Sequence, residues 1–252
     1  MNIFSCNVRN IKSFKLILSI IKDIHIDITL IITKKSITIT SFENSKNILV
    51  HIELPSENFI DYLCLVDKFI ITTGSQNLYK IINKISNKSS LNLCIRDDDY
   101  IDKQVHYINI TTDHTFIKIK LNENPSIEIT LPVEDDKKHK TRFFIEKNDL
   151  IHVIKNMDLI HDYINIHTQL NQVTFSCNGQ YAKSSVSFPN YIQSIEMASI
   201  DIPMYIMKLF TKINYISDQA LFTFAHGIPF NISYNIQDLG NLHFYYKNYC
   251  SI

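Results

Sequence analysis

The chain has 252 residues, with 25 Lys+Arg against 25 Asp+Glu, a formal net charge of zero and 45% hydrophobic residues. That length allows one large domain or two ordinary ones, and the apolar content excludes a disordered acidic or basic tail protein. With 4 Gly and 6 Pro, collagen-like and linker-rich architectures are excluded, and zero net charge argues against coating nucleic acid with the entire surface.

Taken in chain order, residues 1–10 lack a basic stretch ahead of an apolar core and do not read as a signal peptide. The most apolar stretch, 14–32, is interrupted by Lys22, Asp23, His25 and Asp27, so no membrane span is expected. Phe14, Ile17, Leu18 and Ile21 repeat at helical spacing and predict a first amphipathic helix. Residues 36–40 alternate apolar and polar with the period of a half-buried strand. Leu78, Ile81, Ile82 and Ile85 predict a second helix, followed by a strand over 91–95 and a solvated loop at Asp97-Asp98-Asp99. Another alternating strand spans 116–121.

Residues 122–140 hold two prolines and the charged run Glu134-Asp135-Asp136-Lys137-Lys138-His139-Lys140, the composition of an extended connector. Beyond it the pattern repeats. Leu150, Val153, Ile154 and Met157 predict a third helix, and 172–176 a strand. Ile206, Leu209, Phe210 and Ile213 predict a fourth helix, with strands over 220–225 and 230–234. The stretches 79–85 and 207–213 share the order apolar, Lys, apolar, apolar, polar, Lys, Ile, which points to an internal duplication. The expectation is an α+β chain of two similar domains, 1–121 and 141–252, joined by the connector 122–140. Clean alternation favours antiparallel sheets, because parallel ones show continuous apolar runs.

The helices carry one sign of charge. Lys12, Lys15 and Lys22 form a stripe on the first; Lys80 and Lys84 stand at i, i+4 on the second; Lys208 and Lys212 do so on the fourth. No acid falls between residues 76 and 90 or between 203 and 217. The third helix offers His152 and Lys155 beside Asp149. A lysine stripe is ordinarily a solvated face, but solvated helices usually mix in Glu, since i, i+4 pairs stabilise them. Helices that nearly exclude acids favour a basic surface that neutralises phosphates without reading bases.

Catalytic patterns are absent: there is no GxGxxG, GxxxxGK[ST], HExxH or GxSxG. His161-Asp162 is the one dipeptide reminiscent of a metal phosphohydrolase, and a helix-end His and Asp is its ordinary alternative. The five scattered cysteines (Cys6, Cys64, Cys94, Cys177, Cys250) form no CxxC pair and read as reduced structural thiols. No enzyme activity, cofactor or metal is expected.

Three stretches carry a family likeness. Leu209-Phe210-Thr211-Lys212, Ile228-Pro229-Phe230 and residues 234–246 resemble the FFTK, VPL and YKIADMGHLKYYLAP pattern of the eukaryotic-type DNA sliding clamp, the proliferating cell nuclear antigen family. Ser45-Lys46-Asn47-Ile48-Leu49-Val50 is similar to its SSHVSLV strand, and residues 173–179 to VKFSASG. The resemblance implies a DNA clamp fold closing into a ring, as a homotrimer, and a polymerase processivity factor encircling duplex DNA. It implies loading by an AAA+ clamp loader and docking of replication and repair proteins through peptides with paired aromatics. Lys15, Lys22, Lys80 and Lys212 fall on positions basic in the family, and His152 and Lys155 where it commonly has arginines. The docking groove would be walled by Phe42, Leu49, Ile129, Leu131, Pro132, Pro229 and Tyr245, with Tyr246 at the rim. Subunits would join through 115–121 and 181–188.

Departures from the family are the neutral charge, Asn47 in place of Val and Lys247-Asn248 in place of Ala-Pro. They imply a divergent clamp from a large DNA virus or an AT-rich eukaryote, acting in the nucleus or at a viral replication site. The alternatives are a checkpoint-type clamp subunit, a monomeric processivity factor held by charge, and a metal phosphohydrolase using His161 and Asp162.

Overall fold

The computed structural model describes residues 1–24, 27–43, 47–122, 131–132, 141–169, 171–189, 197–213, 217–224 and 229–249. Two compact units divide the chain: Met1–Ile129 with Ile236–Leu242, and Thr130–Asn235 with His243–Ile252.

In the first unit, β1 (Asn2–Val8) precedes α1 (Ile11–Ile24), then β2 (Asp27–Thr33), β3 (Ser36–Phe42), β4 (Ile48–Pro55), β5 (Phe59–Cys64) and β6 (Lys68–Gly74). There follow α2 (Ser75–Asn83), β7 (Asn92–Arg96), the short hairpin β8 (Tyr100–Ile101) and β9 (Gln104–Val105), β10 (Tyr107–Thr111) and β11 (Phe116–Lys120). One antiparallel sheet runs in the order β11-β10-β7-β1-β5, and four further strands in the order β4-β3-β2-β6. Asn10 starts α1 as an N-cap, its Oδ1 accepting the Ser13 backbone N–H at 3.0 Å. The periodic residues Phe14, Ile17, Leu18 and Ile21 are all buried, and α1 packs along α2.

The second unit repeats the order. β12 (Thr141–Glu146) precedes α3 (Lys147–Met157), β13 (Tyr163–Gln169), β14 (Gln172–Asn178), β15 (Lys183–Pro189) and β16 (Ala198–Pro203). Then come α4 (Met204–Ile213), β17 (Gln219–Phe224), β18 (Pro229–Ile236) and β19 (Gly240–Tyr249). One sheet is ordered β15-β14-β13-β16, and the other strands β12-β17-β18-β19. An aromatic cluster fills the core: Phe143 stacks on Phe222 at 5.1 Å between ring centroids, Phe175 meets Phe222 edge-on at 6.1 Å, and Phe210 meets Phe244 at 5.1 Å. Such pairs contribute about 0.5–1.5 kcal/mol each beyond burial. Strand, helix, strands, helix, strands, twice over, with every recorded pairing antiparallel, is the α+β arrangement expected.

Two details differ from expectation. Ile85 fits the helical period, yet α2 ends at Asn83: just beyond it Ser86 Oγ accepts the Lys88 N–H at 3.2 Å and the Ser86 carbonyl accepts the Ser89 N–H at 3.2 Å, local bonds that compete with helix. Asp97–Asp99 is a short 3-10 turn rather than a solvated loop, and Asp99 is 1% exposed. Its carboxylate pairs with Lys118 Nζ at 2.6 Å and accepts Asn109 Nδ2 at 2.6 Å. Cys6, Cys64, Cys94 and Cys177 are buried free thiols, and burial pushes all four up from the ordinary thiol range. Cys250 and connector residues 123–130 and 133–140 lie outside the described residues.

Candidate nucleic-acid interface

Four helices present the basic residues, and each helix does so for the same reason. Its apolar stripe is taken up by the core of its own unit, so the lysines are left on the opposite side. On α1, Lys12 is exposed and Lys22 half-buried. Lys22 lies over the Tyr79 ring of α2 at 4.4 Å and 3.3 Å from Asp23. Lys15 has turned inward: its Nζ donates to the Ile85 carbonyl and, at 2.9 Å, to Asn87 Oδ1. A cation thus sits just beyond the C-terminal end of α2, where the helix dipole favours positive charge. Lys80 of α2 and Lys84, the residue that caps its end, are exposed and have no side-chain partner among the described residues.

In the second unit, Lys155 of α3 is exposed, again without a partner among the described residues. His152 is exposed too, but Asn156 Nδ2, one turn on, donates to its Nε2 at 2.9 Å. Lys208 of α4 is ion-paired with Asp158, the residue that ends α3. The Lys212 side chain lies outside the described residues.

The stripe read from sequence therefore sorts into two groups. Lys12, Lys80, Lys84 and Lys155 have no side-chain partner among the described residues; Lys15, Lys22 and Lys208 have acceptors in their own unit. The partners of Lys15 lie 70 and 72 residues away, so no local pattern could reveal them. Tyr79, the ring beneath Lys22, was missed as well, because a lone aromatic on a helix reads as core.

Of the expected groove residues in the first unit, Phe42 is 41% exposed, while Leu49, opposite it across β3 and β4, is 4% exposed. Leu49 is a core residue and offers a partner almost no surface. Within the second unit, Leu131, Pro132, Pro229 and Tyr246 are half-buried, and Tyr245 is buried with its ring stacked on His243. Ile129 lies outside the described residues. The two strands expected to join subunits, β11 and β15, each end a sheet of their own unit, with one edge unpaired among the described residues.

The phosphohydrolase alternative finds no support in the geometry. His161 Nδ1 accepts the backbone N–H of Tyr163 at 3.0 Å. Among the described residues, no three His, Cys, Asp or Glu side chains converge to hold a metal. No helix of the described residues is long and apolar enough to cross a membrane.

The fold is that of the DNA clamps. The chain superposes over 100% of its length, and 100% of the other's, on the crystal structure of proliferating cellular nuclear antigen from Entamoeba histolytica, with a TM-score of 0.83 at 16% sequence identity. Residues 3–123 match the family of the proliferating cell nuclear antigen N-terminal domain. Over 96% of this chain and 97% of the relative, it is 22% identical to proliferating cell nuclear antigen of Dictyostelium discoideum. It is 19% identical to the DNA polymerase sliding clamp of Cenarchaeum symbiosum, over 96% of each. The chain is a divergent relative of the proliferating cell nuclear antigen and sliding-clamp family.

Proposed function

We propose that this chain is a DNA polymerase processivity factor: a sliding clamp without catalytic activity of its own that encircles duplex DNA and docks replication and repair proteins. The observation that carries this reading is the pairing of a clamp fold with lysine-bearing, nearly acid-free outer faces on its helices. Lys12, Lys80, Lys84 and Lys155 are the contacts we assign to phosphates. Contacts of this kind are sequence-independent and individually weak, so the protein can move along the duplex. The mechanism is topological. Copies close into a homotrimeric ring through β11 of one and β15 of the next, an AAA+ clamp loader opens it, and polymerase held by a docking peptide stays with the template.

The domain limits 1–121 and 141–252, with 122–140 as connector, belong to the same reading. So do a replication-site location, the nucleus in a eukaryotic cell, and a peptide-docking surface that uses Leu131, Pro132, Pro229 and Tyr246 of the second unit.

The test uses a nicked circular plasmid with loader and ATP. Expected is a complex that survives a high-salt wash on circular DNA and is lost when the plasmid is linearised. A complex equally salt-sensitive on circular and linear DNA would instead support the charge-held monomer and overturn the ring.

A further inference from the structure

The strand β5 ends the first unit's sheet at the opposite end from β11, and it is irregular. Its pairing sets Val8 against Phe59 and Asn7 against Ile60, then Ser5 against Leu63 and Phe4 against Cys64. Two residues, Asp61 and Tyr62, therefore face the single Cys6, and Asp61 sits in the left-handed region with φ of 54°. Such a bulge reverses the alternation beyond it and re-aims side chains. In a regular strand Ile60 and Tyr62 would share one face and Leu63 would take the other. Here Tyr62 turns toward the core beside Phe59 and Phe4, at 5.7 and 5.8 Å between ring centroids. Its hydroxyl donates to the Thr33 carbonyl at 2.6 Å and the Ser36 carbonyl at 3.1 Å, anchoring the strand from beneath. Ile60, Leu63 and Leu65 are left on the outer side, 46%, 41% and 48% exposed.

A polar row runs beside these three side chains. Asn92 Nδ2 donates to Ser5 Oγ at 3.0 Å and to Asn7 Oδ1 at 2.9 Å, and Asn7 Nδ2 reaches Asp61 Oδ2 at 3.4 Å. An exposed carboxylate is thus held by a neutral amide at the middle of the apolar row. The surrounding stretch is acidic: residues 47–67 include Glu53, Glu57, Asp61 and Asp67 and contain neither Lys nor Arg. Asp67 is paired with Lys34 at 2.8 Å, so Asp61 is the acid that marks the row.

The same features select the occupant. A lasting dimer buries roughly 800 Å² per partner, far more than three half-exposed aliphatic side chains offer, so a short segment fits better than a second copy. An added strand needs a regular edge, and a bulge is one of the devices that blunt edges against strand pairing. A helix brings its backbone hydrogen bonds with it. Three successive same-face positions on a strand span about 13 Å, and helical positions i, i+4 and i+8 span about 12 Å. We propose that the outer face of β5 docks a short, basic amphipathic helix of a partner protein. Its apolar stripe covers Ile60, Leu63 and Leu65, and a Lys or Arg flanking the stripe meets Asp61. The site uses none of the phosphate-facing lysines and does not depend on the clamp reading.

The probe is a fluorescein-labelled peptide, Ala-Lys-Leu-Ala-Ala-Lys-Leu-Lys-Ala-Ala-Leu-Lys-Ala, titrated against the full chain by anisotropy. Expected is saturable, salt-weakened binding, absent when each lysine is replaced by glutamate or when a central alanine is replaced by proline. The double variant Ile60→Ser, Leu63→Ser should bind at least tenfold more weakly, with an unchanged melting temperature because both side chains lie outside the core. Asp61→Asn keeps a residue that tolerates the left-handed region; it should lose about two- to fivefold in affinity, the worth of an exposed ion pair. The proposal fails if the peptide does not bind, or if either variant binds it as wild type does. Equal binding of the proline peptide would overturn the helix. A solution mass that the double variant lowers would make the occupant a second copy, and the proposal would fall.

Discussion

The sequence reading set Lys15 and Lys208 on a basic, phosphate-facing surface and did not single out Lys118, yet each of the three has an acceptor inside its own unit. Asp99 shows what such a pairing is worth. Burial alone would raise its carboxyl, but hydrogen bonds from Lys118, Asn109 and the Arg96 backbone outweigh burial and hold it below the usual carboxylate range. A carboxylate depressed in the folded state contributes stability that is complete above its unfolded value, about 3.9, and is lost as pH falls through the folded one. Asp99→Asn should therefore destabilise at about pH 7, by about 1–3 kcal/mol, and lose most of that difference at about pH 2. Thermal melts at both pH values check it; an equal deficit at the two would mean the side chain matters only through packing. Gly240 gives a second case. Its φ is 144°, and a Cβ there would stand 2.0 Å from the Glu53 carbonyl oxygen within the first unit. Gly240→Ala should cost about 2 kcal/mol or more, because strain and a backbone clash add. The measurement is a urea denaturation midpoint.

At the scale of elements, the sequence carried the helices better than their ends or their charges. The stripes of α1 and α3 stood out because four apolar residues at i, i+3, i+4, i+7 must share one face, and all eight are buried. Ile85 misled because spacing continues past the point where serines stop the helix. β8 and β9 are two residues each, too short to show an alternation, and their hairpin turn lacks the glycine that would announce it. Phe42 and Leu49 oppose each other on β3 and β4, yet 41% against 4% exposure divides them; alternation fixes a face and says nothing about what covers it. The charges are sorted by partners that no local pattern contains, and this yields a paired expectation. Lys15→Ala should lower the melting temperature by removing the cation beyond the end of α2, a loss of about 0.5–2 kcal/mol. Lys12→Glu, Lys80→Glu, Lys84→Glu and Lys155→Glu should leave it nearly unchanged and abolish polymerase stimulation. In partial combinations, the salt dependence of DNA binding should shrink by roughly 0.9 in log–log slope for each contact removed. If Lys15→Ala melts like wild type, the inward bond does not stabilise that end. If the quadruple variant still stimulates polymerase, the basic faces are only solvated ones.

For the whole molecule, the question is what covers two free strand edges. β15 has no buried residue, alternating exposed and half-buried positions, and it ends the sheet β15-β14-β13-β16. β11 ends the sheet of the first unit with Phe116 49% exposed, its ring beneath the Arg96 guanidinium at 4.8 Å. Just ahead of β15, Tyr181 is 92% exposed. An open edge with large apolar side chains invites pairing, and natural proteins otherwise blunt it with charge or proline. Two different edges meeting head to tail close a ring when the rotation allows, whereas one edge meeting itself gives only a dimer. The proposed homotrimer follows from that distinction. Light scattering at micromolar concentration should return three times the mass of the chain, and Phe116→Glu or Tyr181→Glu should return the monomer. Both side chains lie outside the core, so circular dichroism should be unchanged, and the two variants mixed should not reassemble closed rings, since every contact needs one edge of each kind. A wild-type monomer at that concentration would refute the ring while leaving the fold intact, and a dimer from wild type would show that like edges pair.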